Sequence, residues 1–223
     1  MSTPVVRPSL DRTRVLDAAV ALADETGLEA MSMRRLADAL GVTPMALYKH
    51  VAHREELVDG MVERIVATIA APQDGQTWKQ ALRTRILSAR DVMTRHPWAQ
   101  AAVETRTTAG PAVLAYLDSL MGLMFAGGLS ADLVHHAMHA LSTRMWGLTR
   151  DVLPTPTLPA DPEDRARAMA GFAVTYPAII RMATTGQHAG AGCDADAEFE
   201  FALDILLDAF ERMHADGWST ASR

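Results

Sequence analysis

Residues 31–51, MSMRRLADALGVTPMALYKHV, hold two short apolar-periodic runs separated by Gly41. Ser32 is placed to cap the first run, in which Leu36 and Leu40 share a helical face with Ala37 beside them. Gly41 suits the left-handed turn that ends such a helix, because it has no Cβ to clash. Thr43 then caps a second helix with Pro44 at its first position, where a backbone N–H would lack a partner anyway. Leu47 and Val51 point one way on that helix. Pro44, Met45, Tyr48 and Lys49 share the other side and have no core to face. Two short helices on a tight turn, the second with a chemically mixed outer face, make the helix-turn-helix pattern, whose second helix enters the major groove of DNA.

The surrounding charge agrees. The formal net charge is −6, which argues against a chain coated in nucleic acid, but net charge hides distribution. Between Met31 and Arg54 stand Arg34, Arg35, Lys49 and Arg54 against the single acid Asp38, with His50 and His53 alongside. Arginine and lysine bind phosphates or guanine edges, helix N-termini offer amides to phosphate, and Met45 can pack on a thymine methyl.

Outward from the motif, the pattern is helical throughout, without hairpin turns between alternating apolar runs, so the expected fold is all-α. A first helix is expected from about Leu10 to Thr26, capped by Ser9 and stopped by Gly27, and a fourth from Arg54 to Ala70. The break APQDGQT, residues 71–77, divides an N-terminal arm (1–9) and a DNA-binding head (10–71) from a larger body (72–223). In the body, Thr77 caps a helix to about Arg95, His96-Pro97 breaks it, and Trp98 to about Thr105 is a shorter helix. Pro111 opens another that ends in Gly127-Gly128. Ser130 caps a long helix to about Leu153. Asp161 and Pro162 start the next, which Pro177 kinks, and the last runs from about Ala195 to Ala215.

The 223 residues suffice for one domain or two, and no apolar stretch has the roughly 18 uninterrupted residues of a membrane span. The N-terminus does not read as a signal peptide, so the cytoplasm is the expected compartment. The one cysteine, Cys193, forms neither an intramolecular disulfide nor a thiolate cluster alone, and its default is an unreactive loop thiol.

The ordering ADETGLEAMSMRRLADALGV, TPMALYKHV and AHREELVDGM, residues 23–61, resembles the tetracycline-repressor (TetR) family of bacterial transcriptional regulators. RHPWAQAAVETRTTAGP (95–111) and FEFALDILLDAFERM (199–213) resemble the ligand-binding and dimerising body of the family's founding branch. The resemblance implies a homodimer on a palindromic operator in double-stranded DNA, with an effector pocket in each body. It places Ser32, Arg34, Thr43, Pro44, Met45, Ala46, Tyr48, Lys49, His50 and Arg54 at the DNA. Lys49 stands where the founding member carries a large aromatic residue, which implies a different operator. VATIAA and AVETRT lack the histidines with which that protein holds its drug and magnesium, so tetracycline is not the expected effector.

Met121, Met124, Met138, Met145, Met169 and Met182 gather in the body helices with Phe125, Trp146, Phe172 and Tyr176. Such stripes are ordinarily core. They also suit an apolar cavity with a few polar anchors, for which Arg106, His139 and Thr143 are the candidates. His135 and His139 have the spacing of two metal ligands on one helix, but no third ligand is nominated, and no metal or cofactor is expected. The one Glu-x-x-His pair, Glu211 with His214, falls short of the two that a di-iron bundle uses. Glu200, Asp204, Asp208 and Glu211 read as a solvated face. Phe199, Ala202, Leu203, Leu206, Phe210 and Met213 read as a dimerisation face. The expected function is thus a repressor released by a small, largely apolar molecule, with an activator or a partner-switched regulator as the alternative within DNA binding. An enzyme is the rival of a different class, without a nucleophile, base or cofactor fingerprint to support it.

Overall fold

The computed structural model describes residues 9–105, 109–148, 159–185 and 194–222. All regular structure among the described residues is helical. They fall into two compact units, one of residues 1–148 with 203–223 and one of residues 149–202.

In the first unit, α1 (Arg12–Thr26) is capped by Asp11, which accepts from the Arg14 amide at 2.8 Å, in place of the expected Ser9. Asp has the same capping chemistry as Ser and stands one residue from the helix. Ser32 caps α2 (Met33–Leu40) as expected, and Gly41 ends it with φ 66°. Thr43 precedes α3 (Pro44–Leu47) in extended backbone but makes no side-chain cap, so Pro44 alone sets the start. The chain then turns through His50, whose amide donates to Leu47 O at 2.8 Å. The His53 ring caps α4 (Arg54–Val66), with Nδ1 accepting from the Glu56 amide at 3.1 Å.

Helices α1, α2 and α4 enclose the first core, where Val15, Ala19, Leu36, Leu47, Leu57 and Met61 lose essentially all exposure. A Cβ on Gly60 of α4 would lie 2.6 Å from Leu16, so α1 and α4 approach closely only because that position is glycine. The Arg64 guanidinium grips both Asp17 oxygens at 2.6 and 3.0 Å and ties α4 to α1.

A full capping box of Thr77 and Gln80 opens α5 (Trp78–Arg95). It is followed by α6 (Ala99–Thr105), α7 (Pro111–Ala126) and α8 (Ala131–Leu141). The end of α8 corrects the expected helix from 130 to 153. It stops at Leu141, and a 3₁₀ turn over Ser142–Trp146 follows, closed by Gly147 at φ 75°. Ser142, at φ 46°, is the one non-glycine residue with positive φ among those described. A Cβ on Gly147 would lie 2.2 Å from the Arg90 Cα, so glycine is required there for space as well as for φ.

In the second unit, Asp161 caps α9 (Pro162–Thr175) through the amides of Glu163 and Asp164. The expected kink at Pro177 is a full break at Tyr176, and Pro177 begins a new helix, α10 (Pro177–Thr185). The last helix, α11 (Ala195–Ala215), has the expected bounds, and from Leu203 onward it belongs to the first unit.

The acidic stripe of α11 is not merely a solvated face. Lys79 of α5 lies 2.6 Å from Asp208 and 2.7 Å from Glu211, and Arg83 lies 2.7 Å from Asp204. Lys79 and Arg83 are themselves one helical turn apart, so the two stripes meet in register.

Candidate DNA interface and effector cavity

The α2–α3 turn leaves most of the residues expected at the DNA outward. Met45 is 72% exposed and Tyr48 45%, values that a core position would not tolerate. Arg34, Thr43, Pro44 and Lys49 are exposed as well, Ala46 and His50 are half-buried, and Ser32 is exposed but engaged as the α2 cap. Leu47, on the opposite side of α3, is fully buried and fixes which face turns out.

The neighbouring arginines divide between tasks. Arg35 donates to the Ala30 carbonyl at 3.0 Å, and Arg54 to the Leu28 carbonyl at 2.7 Å, so both brace the turn between α1 and α2. Arg54 therefore has a structural task besides the phosphate contact expected of it. Glu56 holds the α3–α4 loop by accepting from the Ala52 amide at 2.7 Å. That bond, with Arg12 beside it, keeps the Glu56 carboxyl below the usual carboxylate range.

A cavity of about 250 Å³ opens in the body of the first unit. Val103 and Glu104 of α6 form one wall, Met138 and His139 of α8 another, and Ser142, Thr143, Met145, Trp146 and Leu148 close it. Three of the residues expected at the ligand, His139, Thr143 and Trp146, line it. Met121, Phe125, Phe172 and Tyr176 do not. Phe125 is exposed and Met121 half-buried on α7, while Phe172 and Tyr176 stack on each other in the second unit at 4.8 Å between ring centroids. Arg106, proposed as an anchor, and Cys193 lie outside the described residues.

Val103, Glu104, Ser142 and Leu148 were not singled out from the sequence. Four of the lining residues come from the 3₁₀ turn that follows the end of α8, and neither glycine nor proline stands at Ser142 to announce that break. Tyr116 of α7 supports the wall from behind, its hydroxyl donating to the Met145 carbonyl and its ring lying 4.9 Å from that of Trp146. Burial pushes the Tyr116 phenol well above the ordinary tyrosine range, with Arg85, 5.1 Å above the ring, opposing in part.

His135 and His139 stand edge to face with centroids 4.6 Å apart. No group of three or more potential ligands among the described residues is placed to hold a metal ion. No described helix is long and apolar enough to cross a membrane.

Residues 15–61 match the family model for bacterial regulatory proteins of the tetR family, and residues 71–214 that for the tetracyclin repressor-like C-terminal domain. An HTH-type transcriptional regulator of Saccharopolyspora erythraea is 31% identical over 142 residues, which cover 63% of this chain and 60% of that protein. The HTH-type transcriptional repressor DrrR1 of Streptomyces coeruleorubidus is 34% identical over 126 residues, 56% of this chain and 47% of that one. The chain thus spans about half the length of these curated relatives. The solved structure of ActR from Streptomyces coelicolor in complex with actinorhodin shares the fold at a TM-score of 0.68 and 23% identity, covering 92% of this chain and 98% of that one.

Proposed function

This chain belongs to the tetR family of bacterial regulatory proteins, and we propose that it is a cytoplasmic, homodimeric repressor that a small, largely apolar molecule releases from a palindromic operator. The head is residues 10–71 and the body residues 72–223. The observation that carries the reading is α3 with the turn that follows it, which keep Leu47 wholly inside while Met45, Tyr48 and Lys49 stand outward on a locally basic surface. An apolar residue so exposed on a four-residue helix has no use in a monomer's core, but it suits a thymine methyl in the major groove. A recognition helix of that length reads few base pairs, so specific affinity requires two half-sites and two copies of the chain.

Repression is favoured over activation by the likeness to the DrrR1 repressor, and a small-molecule effector by the cavity, with the actinorhodin complex of ActR as a parallel. At about 250 Å³ the cavity is at the lower end of ligand sites, which commonly span roughly 300–1,000 Å³. Met138, Met145, Trp146 and Leu148 offer apolar contact, with His139 and Thr143 as polar anchors.

Retarded migration of a palindromic fragment from the chain's own promoter tests the first half of this reading. Reciprocity tests the second, because operator must weaken effector binding by the same factor by which effector weakens operator binding. A cavity ligand whose calorimetric affinity is equal with and without operator rules out effector-driven release. Turnover of that ligand would instead point to an enzyme.

A further inference from the structure

We propose that the effector is an organic cation, an apolar molecule carrying a protonated amine, and that Glu104 selects it. The proposal deepens the regulatory reading above and rests on it for calling the occupant of the cavity an effector. Among the described residues that line the cavity, Glu104 is the one carboxylate, and the lining holds no lysine or arginine. Gln100, one turn earlier on α6, donates its side-chain amide to Glu104 Oε1 at 3.2 Å. A carboxylate only accepts hydrogen bonds, so a group that meets it from the cavity has to donate.

The rest of the polar lining has the same sense. The hydroxyls of Ser142 and Thr143 and the imidazole of His139 can each accept a hydrogen bond as well as donate one. An ammonium group brings several N–H donors and no acceptor, and so matches this set. Trp146 completes the match, because indole is the aromatic face that attracts a cation best. The burial pattern also orders the occupant. Glu104 is exposed and Leu148 is buried, which puts the amine at the mouth and the apolar frame inward, against Met138 and Leu148.

The opposite charge is disfavoured. A carboxylate in the cavity would face Glu104 as a like charge, with no donor to hold it except hydroxyls and an imidazole. Arg144, between the lining residues Thr143 and Met145, has its Nε buried without a partner among the described residues, but it does not belong to the lining. The formal net charge of −6 adds a field that attracts cations and repels anions at the mouth.

The test offers the full-length chain, labelled with ¹⁵N at tryptophan, one aromatic frame in three charge states: naphthylmethylamine, naphthylmethanol and naphthoate. The amine is expected to bind about tenfold more tightly than the alcohol, the worth of one hydrogen bond to a charged group, and the naphthoate more weakly than either. The amine should also shift the Trp146 indole resonance, identified by its absence in Trp146→Phe. Glu104→Gln, a change at an exposed position, keeps the wild-type melting temperature and the alcohol affinity while the preference for the amine is lost. An amine bound no more tightly than the alcohol, a preference that survives Glu104→Gln, or an amine that leaves Trp146 unmoved overturns the proposal. A naphthoate that binds tightest overturns it too and hands the charge selection to Arg144. Retention of a duplex selected from a random-sequence pool tests the regulatory reading separately. A chain that holds duplex without preferring the amine sinks this proposal alone, and one that prefers the amine but holds no duplex sinks the regulatory reading and leaves an amine-binding cavity.

Discussion

Tyr116 donates its hydroxyl proton to the main-chain carbonyl of Met145, which joins the middle of α7 to the turn that walls the cavity. The ring is almost wholly buried, and its phenol is held protonated by that burial through and beyond the ordinary tyrosine range. Tyr116→Phe keeps the ring and leaves the Met145 carbonyl without its donor. The expected loss is about 1–3 kcal/mol, read as a lower urea midpoint at unchanged m-value. An unchanged midpoint would mean that the hydroxyl does not hold the turn.

The pairing of Lys79 with Asp208 and Glu211 sets a pH dependence. The hydrogen bond and charge of Lys79 hold the Asp208 carboxyl below its ordinary value of 3.8. A carboxylate whose folded pKa is depressed contributes stability above its unfolded pKa and loses it as pH falls through the folded value. The raised Lys79 pKa acts only at the alkaline end, where its contribution is lost as pH rises through the folded value. Melting temperature should therefore fall between about pH 5 and pH 3, and less steeply in Lys79→Gln than in the wild type. Superimposable slopes would show that these exposed pairs are screened to insignificance.

Much of the head was legible because its chemistry is local. Ser32, Gly41 and Pro44 declare the two helices of the motif through cap, turn and first position, whereas helical period carries the second helix through Lys49 and Val51 although α3 ends at Leu47 and a turn brings Tyr48 and Lys49 outward. Arg54 was only half legible, since its bond to the Leu28 carbonyl depends on a fold that brings residues 28 and 54 together. The cavity was less legible still. It depends on the helix break at Ser142, whose positive φ is not the residue's own preference and leaves no signal in the sequence. The acidic stripe of α11 could have been matched to Lys79 and Arg83, which carry the same spacing, but periodicity shows a stripe and not its partner.

The face of α11 available to a second copy differs from the one that periodicity selects. Phe210 is only 4% exposed within the single chain, whereas Phe201 is 66% and Ile205 50% exposed one turn apart. Phe210→Glu would bury an unpaired charge and unfold the protein. Ile205→Glu introduces a good helix former on the exposed side and should keep helical circular dichroism while giving monomers by light scattering. A dimer that survives Ile205→Glu would move the interface away from this face.

Lys49 and Arg54 are separable by what each holds. Lys49 is exposed on the outer side of the α3 turn, where its ammonium can reach a guanine edge, while Arg54 braces the Leu28 carbonyl from the start of α4. A base contact discriminates between sequences by about 1–3 kcal/mol, whereas loss of a phosphate contact or of a scaffold bond weakens all sequences alike. Lys49→Ala is therefore expected to leave the melting temperature unchanged and to lower the ratio of operator to shuffled-duplex affinity by roughly tenfold at one fixed salt concentration. Arg54→Ala should lower the melting temperature and both affinities together, with their ratio preserved. If instead Lys49→Ala keeps the ratio and merely flattens the dependence of affinity on salt by about one counterion, the lysine binds phosphate and the sequence is read by Arg34, Met45 and their neighbours.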